Sequence, residues 1–400
     1  MKFLKSGYLF KLIGGILSSK NSLSRNLLLI CSLLFFLLTV FSCKKGNTEV
    51  PDSDWTQRTV IVVVPPAQGY GSSQGYGSSQ SDGNGDFLYS VEPLVRQSQS
   101  LGYTLQSIIP ENPFTADSLV LALLEMTLSD GTPGSQTGGD EGQEPSLIIL
   151  ADRNYGKVVE RFRNMHPEIP EKLLYENVLL METESGNFPC RAMKTELYGA
   201  MYIVGSVSSL FGMSTLVMDE MLPEYESAIA GFNDGLNDAF VNRWDLVAPE
   251  EPQLIVLSEV LGDDEMEIYT VSDVVEYLLY GSLRVPLVAG IEQDLSARLD
   301  SVFGMFMTGY GPRVVDGINK MVLFVQTETF SVVSDYVLAW LNHDMARMPE
   351  YCRYGIESGA VSVKVMPGYE ECCQEYIDEL WSDAVAKEMK YFSDYQRVIE

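Results

Sequence analysis

Residues Thr59–Val64 read TVIVVV, an unbroken β-branched run. A strand with one face in water alternates apolar and polar residues. A continuous run belongs to a strand covered on both faces, as in a parallel sheet with helices above and below. The pattern then continues. The spacing predicts a helix over 87–101, a strand over Tyr103–Ile109 and an apolar helix over Ala116–Leu128. Next come a strand over Ser146–Ala151 (SLIILA), a helix over Tyr155–Met165 and a strand over Asn177–Met181 (NVLLM). A second set follows: a helix over Ala192–Leu210, then a strand over Thr215–Met218. Ile229, Phe232, Leu236 and Phe240 then recur at the three-and-four spacing of an amphipathic helix. Strands over Leu254–Leu257 and Val285–Ala289 flank a helix over Val271–Leu279. Strand–helix alternation means parallel sheets joined by crossover helices. Two such sets in 400 residues, at about 150 residues per domain, predict an α/β chain of two Rossmann-like lobes.

The first 42 residues lie outside this pattern. They hold Lys2, Lys5, Lys11, Lys20 and Arg25 and no acid. The apolar stretch Leu27–Ser42 is short for a membrane span of about 20 residues. A basic start, an apolar middle and a small final residue describe a secretory signal. Val40-Phe41-Ser42-Cys43, followed by a polar tail, resembles a bacterial lipobox in which Cys43 is lipidated and becomes the first mature residue. The alternative is an uncleaved anchor; both place the bulk of the chain outside the cytoplasm. Residues 43–57 then read as a tether, 58–185 as lobe I joined by part of 290–335, and 186–289 as lobe II joined by 336–400.

Charge narrows the function classes. The chain has 55 Asp and Glu against 27 Lys and Arg, a formal net charge of -28. Without residues 1–42, 22 basic residues face all 55 acids, a balance of -33. Nucleic-acid binding needs clustered Lys and Arg to displace counterions, so nucleic acid is not an expected partner. The only histidines are His166 and His343, which weighs against His-rich metal sites and histidine acid–base chemistry. No cofactor, metal or catalytic residue is expected.

Four cysteines remain after the signal and the lipidated residue: Cys190, Cys352, Cys372 and Cys373. They allow three pairings, which sequence does not separate. Adjacent Cys372 and Cys373 pair poorly, so Cys352 with one of them is the favoured bridge. A redox or metal site lacks supporting histidine and CxxC spacing.

Two loops are rich in turn residues. Gly69–Gln80 is GYGSSQ twice, followed by SDGNGD, and 130–145 is DGTPGSQTGGDEGQEP. Gly71–Gly75 fits a G-x-S-x-G nucleophile elbow, but it lies inside a repeat with no helix directly after it. Asp82, Asn84 and Asp86 have calcium-loop spacing, yet Phe87 stands where Gly is required and Pro93 where the bidentate Glu belongs. No P-loop is present.

Ligands of open α/β sheets sit beyond the carboxyl ends of the strands. The residues there are Asp86, Phe87 and Tyr89 after the first strand, Asp152 after the third, and Glu182 and Glu184 after the fourth. Asp219 and the pair Glu292 and Asp294 follow strands of the second set. Asp86 also suits a helix cap. Together these acids suggest a cleft that accepts hydrogen bonds from hydroxyls or amines, or holds a cation. The assigned ligand set is Asp86, Phe87, Tyr89, Asp152, Glu182, Asp219, Glu292 and Asp294.

Several stretches, taken in order, resemble one family. Glu196–Gly205 (ELYGAMYIVG), Asp219–Gly235 (DEMLPEYESAIAGFNDG) and Val288–Asp294 (VAGIEQD) are similar to segments of type I periplasmic solute-binding proteins. The branch they resemble is the basic membrane protein, purine-nucleoside-receptor-like lipoproteins. Gly355–Val361 with Tyr369–Trp381 looks like that family's closing hairpin and helix. The resemblance covers about Arg58 to Met389. It implies a type I periplasmic binding protein fold, with a ligand held in an inter-lobe cleft and delivered to an ABC permease. It places the ribose-contacting acid on Glu292 and another acid on Glu182. A family lysine would fall near Thr308, where it is absent. The expected function is a lipid-anchored solute-binding protein, not an enzyme, taking a small polar ligand such as a nucleoside. The alternative is a sensing or surface-interaction lipoprotein that keeps the fold without transport.

Overall fold

The structure is a computed structural model that describes residues 55–66, 91–129, 146–183, 186–211, 214–218, 225–245, 254–256, 287–290, 306–311 and 321–399. In chain order the strands begin with β1 Thr59–Val63, β2 Thr104–Ile108, β3 Leu147–Leu150, β4 Val178–Leu180, β5 Arg191–Thr195 and β6 Ser214–Met218. They continue with β7 Leu254–Val256, β8 Leu287–Gly290, β9 Phe306–Gly311, β10 Met321–Thr327, β11 Tyr351–Tyr354 and β12 Val361–Val365. The described α-helices are α1 Glu92–Leu101, α2 Pro113–Ser129, α3 Gly156–Met165, α4 Glu171–Asn177, α5 Tyr198–Ser208, α6 Glu226–Asp238, α7 Thr329–Leu341 and α8 Glu370–Ile399.

These strands form two six-stranded sheets. The first has the order β2-β1-β3-β4-β5-β11 and is parallel throughout. The second has the order β7-β6-β8-β9-β10-β12, parallel except for the antiparallel β10–β12 pair. Each sheet therefore starts from its second strand and reverses direction once, between β1 and β3 in the first and between β6 and β8 in the second.

The β-branched run behaves as its composition demands. Val60, Val62 and Val64 pack on one side with Leu94 of α1 and Phe330, Tyr336 and Trp340 of α7. Ile61 and Val63 pack on the other with Val120 and Leu124 of α2 and Phe162 of α3. All five of these strand residues are at most 4% exposed, so the strand is covered on both faces. In the second core, Leu216 and Val256 join α5, α6 and α8 through Ile203, Phe232 and Ile377. Helix α5 lies against α6 at glycine contacts. A Cβ at Gly205, Gly231 or Gly235 would collide with the backbone carbonyl of Phe232, Tyr198 or Tyr202 respectively.

Among the described residues the chain passes between the sheets three times: from β5 into α5, from β10 into α7, and from β11 into β12. This corrects three expectations. First, Ala192–Leu210 is not one helix. Ala and Met favour helix in isolation, but pairing decides: Arg191 and Ala192 pair with β4, and Ala192–Thr195 with β11. Second, Gly355–Val361 is not a hairpin, because the strands flanking it belong to different sheets. Third, the exchange between the sheets is finer than 290–335 against 336–400: β9 and β10 pair in the second sheet while α7, from Thr329, packs on the first, and β11 pairs in the first sheet while β12 pairs in the second.

The favoured cysteine bridge is also absent. Cys190, Cys352, Cys372 and Cys373 are all free. Cys352 lies on β11 of the first sheet and the adjacent pair lies in the first turn of α8, with their sulfurs 3.1 Å apart. Burial pushes the Cys190 thiol up to about 12, which makes it an inert packing group.

Candidate functional site

Ligands of doubly wound sheets sit at the carboxyl ends of the strands, where the strand order reverses. In the first sheet that point lies between β1 and β3, and Asp152 follows β3 directly. Its Oδ1 accepts from the Asn154 backbone N–H at 2.8 Å and from Asn154 Nδ2 at 2.9 Å, capping a short turn over Arg153–Tyr155. Tyr155, fully buried, donates its hydroxyl to the Val64 carbonyl at 2.5 Å. The two strand ends at the reversal are thus locked together, with the Asp152 carboxylate beside the lock.

Glu182 follows β4 along the same edge. It is half-buried, with φ at 57°, a left-handed conformation that costs a side-chain-bearing residue about 1 kcal/mol. Thr195, at the end of β5, holds it there: Oγ1 donates to Glu182 Oε1 at 2.8 Å and the backbone N–H to Oε2 at 3.2 Å. Burial pushes the Glu182 carboxyl up to about 7, against the Thr195 hydrogen bonds and the nearby Lys194 charge, which lower it. Asp152 and Glu182 are the predicted site residues that the structure places, both on this edge. Asp86, Phe87, Tyr89, Glu184, Asp219, Glu292 and Asp294 lie outside the described residues, as do Cys43, the repeats at 69–80 and the loop at 130–145. Thr308 is in the middle of β9, 1% exposed and paired with Ala289 and Leu323, so it is a sheet-interior residue.

The polar centre that sequence reasoning missed lies at the crossovers. Lys194 and Glu196 flank Thr195 where β5 leaves for α5, and Arg353 sits on β11 just before the third crossover. Glu196 is fully buried, Lys194 and Arg353 nearly so. Glu196 Oε1 takes both cations: Arg353 Nη1 bonds it directly and Lys194 Nζ lies 3.5 Å away. Glu388 reaches in from α8. Its Oε1 accepts the Gly199 N–H at 3.1 Å and its Oε2 the Ile356 N–H at 3.0 Å. The second crossover is tied to the others as well. Thr329 Oγ1 lies 2.9 Å from Thr195 Oγ1, and the Glu328 N–H donates to the Ala360 carbonyl at 2.7 Å.

A sequence signal for Glu388 was present. Cys373, Ile377, Ala384 and Glu388 recur at spacings of four and seven, and all are 3% exposed or less. An acid on the apolar stripe of a long helix is a buried acid with a partner to find. Glu196 stands likewise inside a buried run.

The two histidines serve packing and capping. His166 Nδ1 lies 3.1 Å from Glu168 and its ring packs on Phe162. His343 bonds Arg58, which caps α7 through the Trp340 and Leu341 carbonyls at 2.9 and 3.2 Å. Among the described residues no cluster of His, Cys, Asp or Glu has the makings of a metal site, and no helix is long and apolar enough to cross a membrane.

No protein-family model and no curated protein sequence matches the chain. Solved structures do. A transcriptional activator of the comK gene from Bacillus halodurans is 13% identical, with a TM-score of 0.52 over 81% of this chain and 96% of that one. ABC transporter system solute-binding proteins from Aeropyrum pernix K1 are 12% identical, with a TM-score of 0.50 over 86% and 89%. An ABC transporter system solute-binding protein from Conexibacter woesei DSM 14684 is 9% identical, with a TM-score of 0.50 over 83% and 97%. At these identities the likeness is one of fold. The two sheets, each in doubly wound order and joined by three crossovers, are the type I periplasmic binding protein fold.

Proposed function

We propose that this chain is a lipid-anchored solute-binding protein that takes a small polar ligand between two lobes and presents it to an ABC-type permease. The observation that carries the reading is the paired topology. Two doubly wound sheets, each with one order reversal, are joined among the described residues by three crossovers that hydrogen bonds gather into one polar centre. That plan suits two bodies closing on a ligand about a common hinge. The neighbours that share the fold include ABC solute-binding proteins. The acids Asp152 and Glu182 supply acceptors on the first carboxyl edge, and Asp86, Asp219, Glu292 and Asp294 extend the set in our reading. Such a lining selects hydroxyl-rich or cationic solutes, and a nucleoside satisfies it through its ribose. Residues 1–42 serve as the lipoprotein signal and 43–57 as the tether, with Cys43 carrying the lipid on the extracytoplasmic side of a bacterial membrane. In this reading the role is binding without catalysis.

Thermal-shift screening of the full chain in detergent against nucleosides, sugars and amines tests this. A ligand at 100 times its Kd adds about 2.7 kcal/mol of stability, and a flat screen across all three classes would overturn the reading. A second reading is a ligand-sensing or surface-interaction lipoprotein without transport. It is favoured by one observation, that a transcriptional activator shares the fold at a TM-score of 0.52. Copurification of a permease with the ligand-loaded protein separates the two.

A further inference from the structure

Helix α2, which covers one face of the first sheet, sorts its side chains into rows of every fourth residue. Ala116, Val120, Leu124 and Leu128 are buried, packed with Ile61 and Val63 of β1. Phe114, Ser118, Ala122 and Met126 form the opposite row, and all four are exposed. A helix lying on a sheet normally turns charged or polar residues outward. This row carries no charge. Phe114, at 81%, and Met126, at 62%, are the two most exposed large apolar side chains among the described residues. Ser118 donates its hydroxyl to the Phe114 carbonyl at 3.0 Å, so an apolar neighbour laid over it strands no donor. The outward row of α2 thus has the composition of a contact rather than of a solvated face.

The row is its own complement. A two-fold axis at the level of Val120 sets Phe114 against Met126 of a second copy and Ser118 against Ala122, because each pair is symmetric about that position. The small side chains then lie in the middle, where two helices approach most closely, and the large ones at the ends. Rows of every fourth residue are also the ridges that interlock when two helices cross at about 50°. Charge selects the same arrangement. The chain has a net charge of -28, so a second copy is repelled over most of the surface. The charged residues of α2 are Asp117 and Glu125, and neither lies in the row. The antiparallel two-fold sets Asp117 level with Leu123 of the second copy and Glu125 level with Thr115, whereas a parallel pairing sets each acid on its own image. Glu125 also has a partner in its own chain, His166 Nε2 at 3.6 Å.

We propose that the outward row of α2 is a homodimer contact: two copies of this chain pair antiparallel across it, with Phe114 of each closing over Met126 of the other. The contact is small. A helix of 17 residues is about 25 Å long and about 10 Å across, a footprint well below the about 800 Å² per partner of a standard interface. The pair is therefore transient, formed where copies are concentrated and separated on dilution. It uses the outer side of the first sheet and holds whatever solute the protein takes.

Photo-crosslinking, which traps transient pairs, tests this on the full chain. Phe114 is replaced by p-benzoylphenylalanine, and the purified chain is carried in phosphatidylcholine vesicles with a reductant, so that the free cysteines form no bridge. On irradiation the ketone takes a hydrogen from a nearby C–H group and the two carbons join. The expected product has twice the mass of the chain, with the bridge mapped by mass spectrometry to Met126 of the second copy. Raising the salt from about 0.05 M to about 0.5 M shortens the reach of the like charges from about 14 Å to about 4 Å and should raise the yield. Ala122→Glu sets two added acids beside the axis and leaves the core untouched. It should lower the yield by about tenfold or more, and the mapped bridge decides even if that variant does not fold. No dimeric product, a bridge to another part of the second copy, a bridge to lipid, a yield that falls with salt, or a yield unmoved by Ala122→Glu overturns the proposal.

Discussion

Thr195 Oγ1 stands 2.9 Å from Thr329 Oγ1, and this contact ties the first crossover between the sheets to the second. A hydroxyl carries one proton. With Glu182 ionised, Thr195 gives its proton to Glu182 Oε1, so Thr329 is the donor to Thr195. The three side chains form a directed chain from the end of β4 to the start of α7. Thr195→Val leaves Glu182 with only the backbone N–H and should cost about 1–3 kcal/mol. Urea denaturation of Thr195→Val, Thr329→Val and the double variant checks this. The double variant should lose less than the two single losses added, since both remove the same bond.

The carboxyl of Glu182 predicts a pH dependence. Its folded pKa, pushed up to about 7 by burial, lies above the ordinary carboxylate range. A raised carboxyl contributes stability that is fully present below its unfolded pKa, about 4.3, and is lost as pH rises toward the folded value. Melting temperature should therefore fall between about pH 4.5 and about pH 7, and the fall should be shallower in Glu182→Gln. A curve of the same slope in the variant would show that Glu182 does not titrate in that window.

How much of this was legible follows from which forces acted locally. The β1 run was legible because a covered strand must be apolar at every position, and Val60–Val64 satisfy that whatever the rest of the chain does. β5 was not, because Arg191–Thr195 becomes a strand only through pairing with β4 and β11, the latter about 160 residues away in sequence. The strand-end rule puts Asp152 and Glu182 on the first carboxyl edge, where they lie, since their positions depend only on where a strand stops. It could not find Glu196, Arg353 and Glu388, since their meeting depends on the third crossover and on the docking of α8. Strand ends mark acids at the edge of a sheet, whereas the acids that organise the crossovers are fully buried.

The α5–α6 contact predicts a sharp difference between glycines. A Cβ at Gly235 would collide with the Tyr202 carbonyl, which is backbone and cannot rotate away. Gly235→Ala must push two helices apart, and overpacking of this kind costs about 1–3 kcal/mol or more. Gly359 has φ at 75° but nothing within 4 Å of an added Cβ. There, Ala pays only conformational strain, about 1 kcal/mol. Chemical denaturation should rank Gly235→Ala well below Gly359→Ala; equal losses would mean that the helices are not in close contact.

Arg58 predicts a failure of the nominally conservative change. Its guanidinium donates to the Trp340 and Leu341 carbonyls, bonds His343 and lies 4.9 Å over the Trp340 ring. A lysine ammonium lacks the planar fork that serves these partners at once. Arg58→Lys should leave a buried carbonyl at the end of α7 unsatisfied, at about 1–3 kcal/mol. Loss of exchange protection at the Asn342 and His343 amides, which close the same helix end, would accompany it.

Asp152 separates a structural from a binding role at the carboxyl edge. Its Oδ1 caps the turn after β3, and Asn also presents an Oδ1, so Asp152→Asn should keep that cap. Stability of this variant should stay within about 0.5 kcal/mol of the parent, whereas Asp152→Ala loses the cap and about 1 kcal/mol. The negative charge disappears in both. If a hydroxyl-rich or cationic solute engages this edge, its stabilising effect in a thermal-shift titration should drop by about tenfold in affinity or more for Asp152→Asn, since hydrogen bonds to a charged acceptor are roughly twice as strong as neutral ones. An Asp152→Asn variant that binds as tightly as the parent would assign Asp152 to the turn alone and move the recognition acids to the other strand ends.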